Sequence, residues 1–164
     1  MDNRLKEILQ GIKIGNDGIY SIPLKNNIQS DEIILREQVA KESYNNYLSV
    51  IANDHSIPVM DFEVRRALEQ TPYSGLIIDI GGCWGWHWRN IQNTRSDVKV
   101  VIIDFIHSNL LHAKNILGNL INNNIFLVCC DAINLPIPND SFDMYWSVQT
   151  LQHIPNFNQA ILEG

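Results

Sequence analysis

A short apolar stretch in the middle of the chain contains an acid and is followed by glycines, in an order typical of a ligand-binding turn. The stretch Leu76–Ile80 contains Asp79 and runs directly into Gly81, Gly82 and, three residues later, Gly85. Glycine lets the backbone approach a ligand closely because it has no Cβ. A helix beginning after such a turn offers free N–H groups and a partial positive charge. The pattern therefore predicts a site for either a dinucleotide or S-adenosylmethionine.

Asp79 favours the second of these two ligands. A dinucleotide brings its pyrophosphate to the turn, and a neighbouring carboxylate would repel that group. S-adenosylmethionine has no phosphate and carries an ammonium group, which a carboxylate attracts. The glycine pattern by itself distinguishes poorly between the two.

Two further acids follow later apolar stretches. Asp104 follows the stretch Val98–Ile103 and comes about 20 residues after Gly85, the spacing at which an acid accepts hydrogen bonds from ribose hydroxyl groups. Asp131 lies just after the stretch Ile125–Cys129, where a carboxylate can accept a hydrogen bond from an adenine amino group. The alternative interpretations are a helix-capping or loop acid at the first position and a turn former at the second.

The elements predicted around these acids alternate between strands and helices. Strands without a polar face, alternating with helices, indicate an α/β fold with a parallel sheet covered on both sides. Ligands of such open sheets bind at the carboxyl ends of the strands. The predicted strands are Leu76–Ile80, Val98–Ile103, Ile125–Cys129 and Met144–Val148, and the predicted helices are Gly85–Thr94, Ser108–Leu117 and Asn156–Leu162.

The first 74 residues are predicted to precede this sheet as two segments. Residues 1–30 are predicted to form a small hairpin around the turn Gly15–Gly18, whose residue types tolerate left-handed conformations. Residues 31–74 are predicted as a helical lead-in with two helices, the second over Asp61–Gln70. The remaining residues, 75–164, are predicted as the ligand-binding domain. The apolar face of the first helix comprises Leu35, Val39, Tyr44, Leu48 and Ile51.

The composition argues against several classes of function. Apolar residues make up 45% and charged residues 18% of the chain, as in a globular protein. No apolar run approaches the roughly 20 residues that span a bilayer, so no membrane partner is predicted. The formal net charge of −6 argues against a nucleic-acid partner. The 3 cysteines include no CxxC pair, which argues against a zinc site and a disulfide framework and favours a cytoplasmic location.

The order of the motifs resembles that of the class I S-adenosylmethionine-dependent methyltransferases, particularly those that act on small molecules. The family's first motif, a strand acid followed by G-x-G-x-G, is similar to Asp79–Gly85, with Cys83 in place of the middle glycine. The family's second-strand acid matches Asp104, and its D-A pair after the third strand matches Asp131 and Ala132. A side chain at Cys83 is compatible with a negative φ but strained if the turn requires a positive φ.

Two later segments extend the resemblance over residues 75–164. The family's L-P-[FI]-x-x-x-S-F-D and L-x-H-I segments are similar to Leu135–Asp143 and Leu151–Ile154. The resemblance implies a Rossmann-like open parallel sheet with helices on both faces. Three more strands follow the fourth in this family, whereas the chain stops at Gly164. We therefore expect a fragment or a naturally short chain, with an exposed fourth strand that an oligomer or a partner would cover.

The resemblance also implies a role for each matching residue in binding S-adenosyl-L-methionine. The turn Gly81–Gly85, with Asp79 nearby, would surround the methionine part of the cofactor. Asp104 would hold the ribose, and Asp131 together with the backbone of Ala132 would contact the adenine. The floor of the site near the sulfonium would be lined by Ser147 and Val148.

The implied reaction is methyl transfer to a small-molecule acceptor. The protein then mainly positions the acceptor and excludes water, because the cofactor is already activated. A general base is needed only when the acceptor arrives protonated, and His153 is the candidate, with a packing or helix-start residue as its alternative interpretation. Two other hypotheses stay open: a non-catalytic cofactor-binding or interaction module, and a nucleotide-dehydrogenase-like fold.

Three tryptophans, Trp84, Trp86 and Trp88, alternate through the glycine turn. Aromatic faces suit stacking on an adenine or lining a substrate pocket, but such residues more often pack in a core. If a helix begins at the turn, Trp86 and Trp88 cannot both face the sheet. We therefore expect one of them to be partly exposed.

Overall fold

A short helix and a hairpin open the chain in the computed structural model. Helix α1 (Asn3–Leu9) and strands β1 (Lys13–Ile14) and β2 (Tyr20–Ser21) form this segment, and the two strands pair antiparallel. Asp17 fixes the hairpin turn, because its Oδ1 accepts the backbone N–H of Ile19 over 3.0 Å. The described residues are 3–23, 33–38 and 56–163.

Strands and helices then alternate in the order that the sequence predicts. Residues 33–38 are helical, whereas the rest of the predicted first helix, with Val39, Tyr44, Leu48 and Ile51, lies outside the described residues. The later elements are α2 (Ser56–Gln70), β3 (Leu76–Ile80), α3 (Ile91–Thr94), β4 (Lys99–Asp104), α4 (His107–Leu117), β5 (Ile125–Cys129), β6 (Met144–Trp146) and α5 (Phe157–Glu163).

The described strands form one six-stranded sheet in the order β1-β2-β5-β4-β3-β6. All neighbouring strands except the hairpin pair are parallel. The chain runs from β3 outward through β4 to β5 and then returns to place β6 on the other side of β3. This reversal beside the first parallel strand defines a Rossmann-like open sheet, in which a ligand crevice forms at the carboxyl ends of the strands.

The N-terminal hairpin is part of this sheet. β2 pairs in parallel with β5, with Ser21 opposite Cys129. The backbone N–H of Ile22 continues the ladder by donating to the carbonyl of Cys129 over 3.0 Å. The hairpin therefore extends the sheet beyond β5, close to the end of that strand where Asp131 follows.

Apolar layers cover both faces of the sheet, as a parallel sheet requires. One layer contains Leu68 of α2 and Leu110 of α4, together with Trp88. The opposite layer contains Leu5 and Ile8 of α1. Burying a side chain of this size contributes roughly 1.5–3 kcal/mol relative to leaving it exposed. Within the described residues, no helix is long and apolar enough to cross a membrane.

The prediction of a single helix over Gly85–Thr94 is wrong, because two shorter helical segments occupy this range. The segment contains a 3-10 helix over Trp86–Trp88, followed by the four-residue helix α3. Gly85 precedes the 3-10 helix in a left-handed conformation, with φ of 64°. The N–H of Trp88 bonds to the carbonyl of Gly85 over 3.0 Å, which winds the chain more tightly than an α-helix. As expected, one tryptophan of the pair is partly exposed: Trp88 is buried and Trp86 is not fully so.

Other predicted boundaries also differ from the structure, by one residue for β4, α4 and α5 and by more for α2 and β6. Helix α2 begins at Ser56 rather than Asp61, because Pro58 falls in its first turn, where a missing N–H is tolerated. Strand β6 ends at Trp146 rather than Val148. Its continuation turns back toward the glycine turn and leaves the sheet.

Candidate functional site

The carboxyl ends of three adjacent strands bring three acids to one edge of the sheet. Asp79 is the penultimate residue of β3, Asp104 is the last residue of β4, and Asp131 closely follows β5. The register places Asp79 opposite Ile102 and Asp104 opposite Cys129. The structure therefore places these acids at the edge where the sequence predicts a ligand crevice.

The carboxylate of Asp104 connects the glycine turn to β4. Its Oδ2 accepts the backbone N–H of Cys83 over 3.0 Å. Its Oδ1 accepts the backbone N–H of Ile106 over 2.8 Å and the side-chain amide of Asn109 over 3.4 Å. A carboxylate offers about four acceptor positions, so about one is left for a ligand hydroxyl group. The long bond to Asn109 is the weakest of the three and the easiest to exchange for a second ligand hydroxyl.

A cation from the N-terminal half lies near Asp104. Burial raises the pKa of Asp104 to about 6, while its hydrogen bonds and the positive charge of Arg36 oppose that rise. Arg36 belongs to the helical residues 33–38, and its neighbour Glu37 accepts the backbone N–H of Ser108 over 3.2 Å. The helical segment therefore lies beside the start of α4 and adds positive charge to a site that is otherwise acidic.

Asp79 lies beneath the glycine turn and is buried. Its Oδ2 accepts the indole N–H of Trp88 over 2.7 Å. Burial raises the pKa of Asp79 to about 7, the bond from Trp88 opposes this rise, and the charge of Asp104 adds to it. A Cβ at Gly82 would lie 2.4 Å from Asp79 Oδ2, so the carboxylate reaches the underside of the turn and only glycine fits above it.

The other two glycines of the turn are required by packing. Gly81 has a φ of 69°, and a Cβ there would lie 2.1 Å from the methyl group of Thr150. A Cβ at Gly85 would lie 2.7 Å from Leu117 and 2.8 Å from Ile102. Gly85 therefore allows the turn to pack closely against α4 and β4.

Cys83 occupies the position of the family's middle glycine in a left-handed conformation, with φ of 52°. A residue with a Cβ is strained there by roughly 1–2 kcal/mol. Burial, followed by the negative charge of Asp104, raises the pKa of the thiol well above its usual range, so the thiol stays protonated and is a poor nucleophile. The backbone N–H of Cys83, which bonds to Asp104, is therefore the group that shapes the site.

The residues after β6 fold back over the glycine turn. Ser147 Oγ donates to the carbonyl of Ile80 over 3.1 Å. Thr150 Oγ1 lies 3.3 Å from the carbonyl oxygen of Gly81 and 3.1 Å from that of Val148. Ser147 and Val148 thus lie beside the turn, and Thr150, which the sequence did not single out, is the residue that packs directly on Gly81.

Asp131 forms a local turn at the end of β5. Its Oδ1 accepts the backbone N–H of Ile133 over 3.1 Å. This hydrogen bond agrees with the interpretation of Asp131 as a turn former. The half-exposed carboxylate lies beside the buried Ala132, at the same edge of the sheet as the other two acids.

His153 is exposed at the end of a 3-10 helix, Leu151–His153. Among the hydrogen bonds of the described residues, none joins its imidazole to the three acids or to the glycine turn. The same residues contain no group of three or more His, Cys, Asp or Glu side chains that could hold a metal ion. Among the described residues, hydrogen bonds and packing thus bring the acids and the glycine turn together, and the imidazole of His153 is not part of that network.

The strand order and the acids around the glycine turn define a class I methyltransferase fold. The profile of the methyltransferase domain family matches residues 78–164, just over half of the chain. The chain belongs to this family, which confirms the resemblance found in the sequence.

A relative with a known activity agrees with this assignment. Over 97 residues the chain is 35% identical to malonyl-acyl-carrier protein O-methyltransferase of Buchnera aphidicola subsp. Baizongia pistaciae, a match that covers 57% of this chain and 35% of the relative. The chain therefore spans about a third of that relative's length.

Two solved structures share the fold. One is a SAM-dependent methyltransferase from Aquifex aeolicus, with a TM-score of 0.56, 16% identity, and coverage of 68% of this chain and 61% of that chain. The other is the 4+2 cyclase SpnF, with a TM-score of 0.56, 21% identity, and coverage of 63% and 39%. At these identities the similarity shows the fold alone.

Proposed function

We propose that the chain is the cofactor-binding part of an S-adenosylmethionine-dependent methyltransferase that acts on a small-molecule acceptor. The observation that supports this proposal most directly is the bond from the Cys83 N–H to Asp104, 3.0 Å long. It joins the glycine turn to the end of the second parallel strand, at the edge where sheets of this type bind ligands.

The charges around the turn suit a cationic ligand tail. Asp79 and Asp104 both lie at the turn, and their carboxylates would repel a pyrophosphate and attract an ammonium group. Arg36 carries the opposing charge close to Asp104. This arrangement favours S-adenosylmethionine over the dinucleotide of a dehydrogenase.

The remaining contacts follow from the position of each group along the crevice. The backbone of Gly81 and Gly82 would surround the methionine part of the cofactor, and Asp104 would accept a ribose hydroxyl. The adenine side would be formed by Asp131 and Ala132, and the floor near the sulfonium by Ser147 and Val148.

The acceptor determines whether the protein must also supply a base. The bound cofactor supplies an activated methyl group, and the protein orients the acceptor and excludes water. A carboxylate acceptor is already ionised at neutral pH and needs no base, whereas a hydroxyl acceptor does. His153 would be that base only for the second kind of acceptor.

A second candidate acceptor is a malonyl carboxylate attached to an acyl carrier protein. The 35% identity to an O-methyltransferase of that substrate favours it. A second candidate function is cofactor binding without methyl transfer, because a cyclase shares the fold.

The experiment is a transfer assay with S-adenosylmethionine labelled in its methyl group. The acceptors are malonyl-acyl carrier protein and a panel of small carboxylates, phenols and amines. We expect label transfer to one of these classes, and His153→Ala should preserve transfer to a carboxylate but reduce transfer to a hydroxyl by roughly 100-fold or more. Cofactor binding without transfer to any acceptor would favour the non-catalytic function.

The compartment and the partners of the chain are also proposals. All 3 cysteines are free thiols, which supports a reducing cytoplasm. β6 lies at one edge of the described sheet, so a partner strand or a second copy could pair with it. Light scattering across protein concentrations tests the second copy.

A further inference from the structure

A tryptophan beneath the glycine turn donates a hydrogen bond to the buried acid of β3. The indole N–H of Trp88 lies 2.7 Å from Asp79 Oδ2. Trp88 is 0% exposed and Asp79 is 1% exposed, so water cannot replace either partner. This distance lies at the short end of the range for N–H···O hydrogen bonds.

The local backbone holds the indole in one orientation. The left-handed Gly85 starts the 3-10 helix that turns Trp88 back toward the sheet. The ring of Trp146 then packs edge-on against the indole of Trp88, with centroids 5.5 Å apart and an interplanar angle of 66°. The donor is therefore fixed by backbone geometry on one side and by an aromatic contact on the other.

Burial and one neighbouring charge favour the neutral form of Asp79. Burial and the charge of Asp104 both raise its pKa. Tyr145 of β6 and the thiol of Cys83 lie close enough for the charge of Asp79 to raise the pKa of each. Among the described residues, the bond from Trp88 is the one influence on Asp79 that lowers its pKa.

We propose that Trp88 is a positioning residue for cofactor binding, because it holds Asp79 as a carboxylate beneath Gly82, where its charge attracts the ammonium of the methionine tail. This inference rests on the proposed function. Asp79 acts through its charge rather than by contact, since the turn covers it, and charges in buried surroundings attract strongly over a few ångströms.

The affinity for S-adenosylmethionine should then depend on the ionisation of Asp79. Its pKa is about 7, so the affinity should rise as the pH increases through neutrality. Removing the indole N–H in Trp88→Phe should raise that pKa. The rise of affinity with pH, called the rising limb, should then shift upward by roughly one pH unit, the effect of one hydrogen bond to a charged group. Asp79→Asn should abolish the part of this rise that is centred near pH 7 and leave the part that comes from Asp104, whose pKa is about 6.

The test is titration calorimetry across this pH range with two ligands. The first is S-adenosylmethionine, and the second is methylthioadenosine, which keeps the adenine and ribose but lacks the ammonium. We expect Trp88→Phe to move the rising limb for the first ligand only. The control variant is Trp86→Phe, which removes an indole N–H that has no hydrogen-bond partner among the described residues and should leave the midpoint unchanged.

An NMR titration gives a readout that needs no ligand. The indole N–H signal of Trp88, labelled with nitrogen-15, should follow the ionisation of Asp79 and stay constant in Asp79→Asn. An unchanged calorimetric midpoint in Trp88→Phe, or equal shifts for both ligands, would overturn the inference while leaving the proposed function intact. Failure of the wild-type protein to bind S-adenosylmethionine at every pH would overturn the proposed function and, with it, the ligand-binding role of Trp88, even if the NMR titration shows the two side chains to be coupled.

Discussion

The backbone N–H of Cys83 donates to Asp104 Oδ2 over 3.0 Å, and this bond fastens the glycine turn to the end of β4. The same carboxylate carries bonds from Ile106 and Asn109 on its other oxygen. Asp104 therefore shapes the turn, and about one of its acceptor positions is left for the ribose hydroxyl that we propose it holds.

Replacing Asp104 by asparagine tests both roles of this acid. An asparagine keeps one oxygen as an acceptor. Its NH₂ group, however, would face one of the N–H groups that now donate a hydrogen bond to Asp104. We expect S-adenosylmethionine to bind roughly 10–100-fold more weakly, the effect of losing a charged hydrogen bond. Calorimetry measures it, with the exposed Asp140→Asn as the matched control. Equal affinity of Asp104→Asn and wild type would show that Asp104 does not hold the ribose.

The left-handed conformation of Cys83 predicts a stabilising substitution. Glycine adopts a φ of 52° without strain, so Cys83→Gly should raise the free energy of unfolding by roughly 1 kcal/mol. Urea denaturation measures the change. Ser74→Gly is the matched control outside the site, because Ser74 has a φ of 56° and should show a similar gain. A loss of stability in Cys83→Gly alone would mean that the thiol contributes packing that outweighs the strain.

The buried charge of Asp79 should cost stability at neutral and alkaline pH. Its pKa is raised to about 7, whereas an aspartate in an unfolded chain titrates near 3.9, so the native state binds the proton more tightly. The free energy of unfolding should therefore fall as the pH rises between these two values and then level off. Asparagine carries no charge and keeps an oxygen for the indole of Trp88.

Asp79→Asn should accordingly be more stable than wild type at about pH 8, by roughly 1–3 kcal/mol, and similar to it near pH 4. Urea denaturation at the two pH values measures this difference. We expect the same variant to bind S-adenosylmethionine more weakly, so stability and affinity should move in opposite directions. A variant less stable than wild type at the higher pH would contradict the burial of a charge at this position.

The docking of the N-terminal hairpin depends on Asp17. Its Oδ2 lies 2.8 Å from Nε2 of His107 in α4, and its Oδ1 accepts the N–H of Ile19. Asp17→Ala removes both contacts and should speed hydrogen exchange at Ile22, whose N–H bonds to β5, while exchange in β3 and β4 stays unchanged. Asp17→Asn keeps an acceptor for Ile19 and should have a smaller effect.

The acid dependence of the hairpin follows from the same contacts. The N–H of Ile19, and then the bond and charge of His107, lower the pKa of Asp17. Asp17 therefore adds stability above its unfolded pKa, and this contribution is lost as the pH falls through its lower folded value. Uniform exchange across the sheet in Asp17→Ala would contradict a separately docked hairpin.

The strands and the acids at their ends are the parts that the sequence predicts best. Leu76–Ile80 and Ile125–Cys129 have the predicted bounds because each is a short apolar run with polar or glycine residues at its ends. Asp104 lies at the predicted edge because parallel strands point their carboxyl ends the same way. These features depend on local pattern and on the general geometry of parallel sheets.

The contacts that shape the turn depend on distant parts of the chain, and the sequence pattern does not reveal them. The pairing of β2 with β5 joins residues that lie more than a hundred positions apart. Thr150 reaches Gly81 only after β6 has been placed beside β3. The alternating tryptophans favoured core packing but did not show which indole packs, because the left-handed Gly85 decides which of them turns toward the sheet.

We propose S-adenosylmethionine as the ligand of the glycine turn and its acids. The most direct test is titration calorimetry of the wild-type chain, shown to be folded by circular dichroism, with S-adenosylmethionine, its demethylated product and NAD. We expect one site that binds the first two ligands with a dissociation constant on the order of micromolar and does not bind NAD. A folded chain that binds neither S-adenosylmethionine nor its product, or that prefers NAD, would contradict the account.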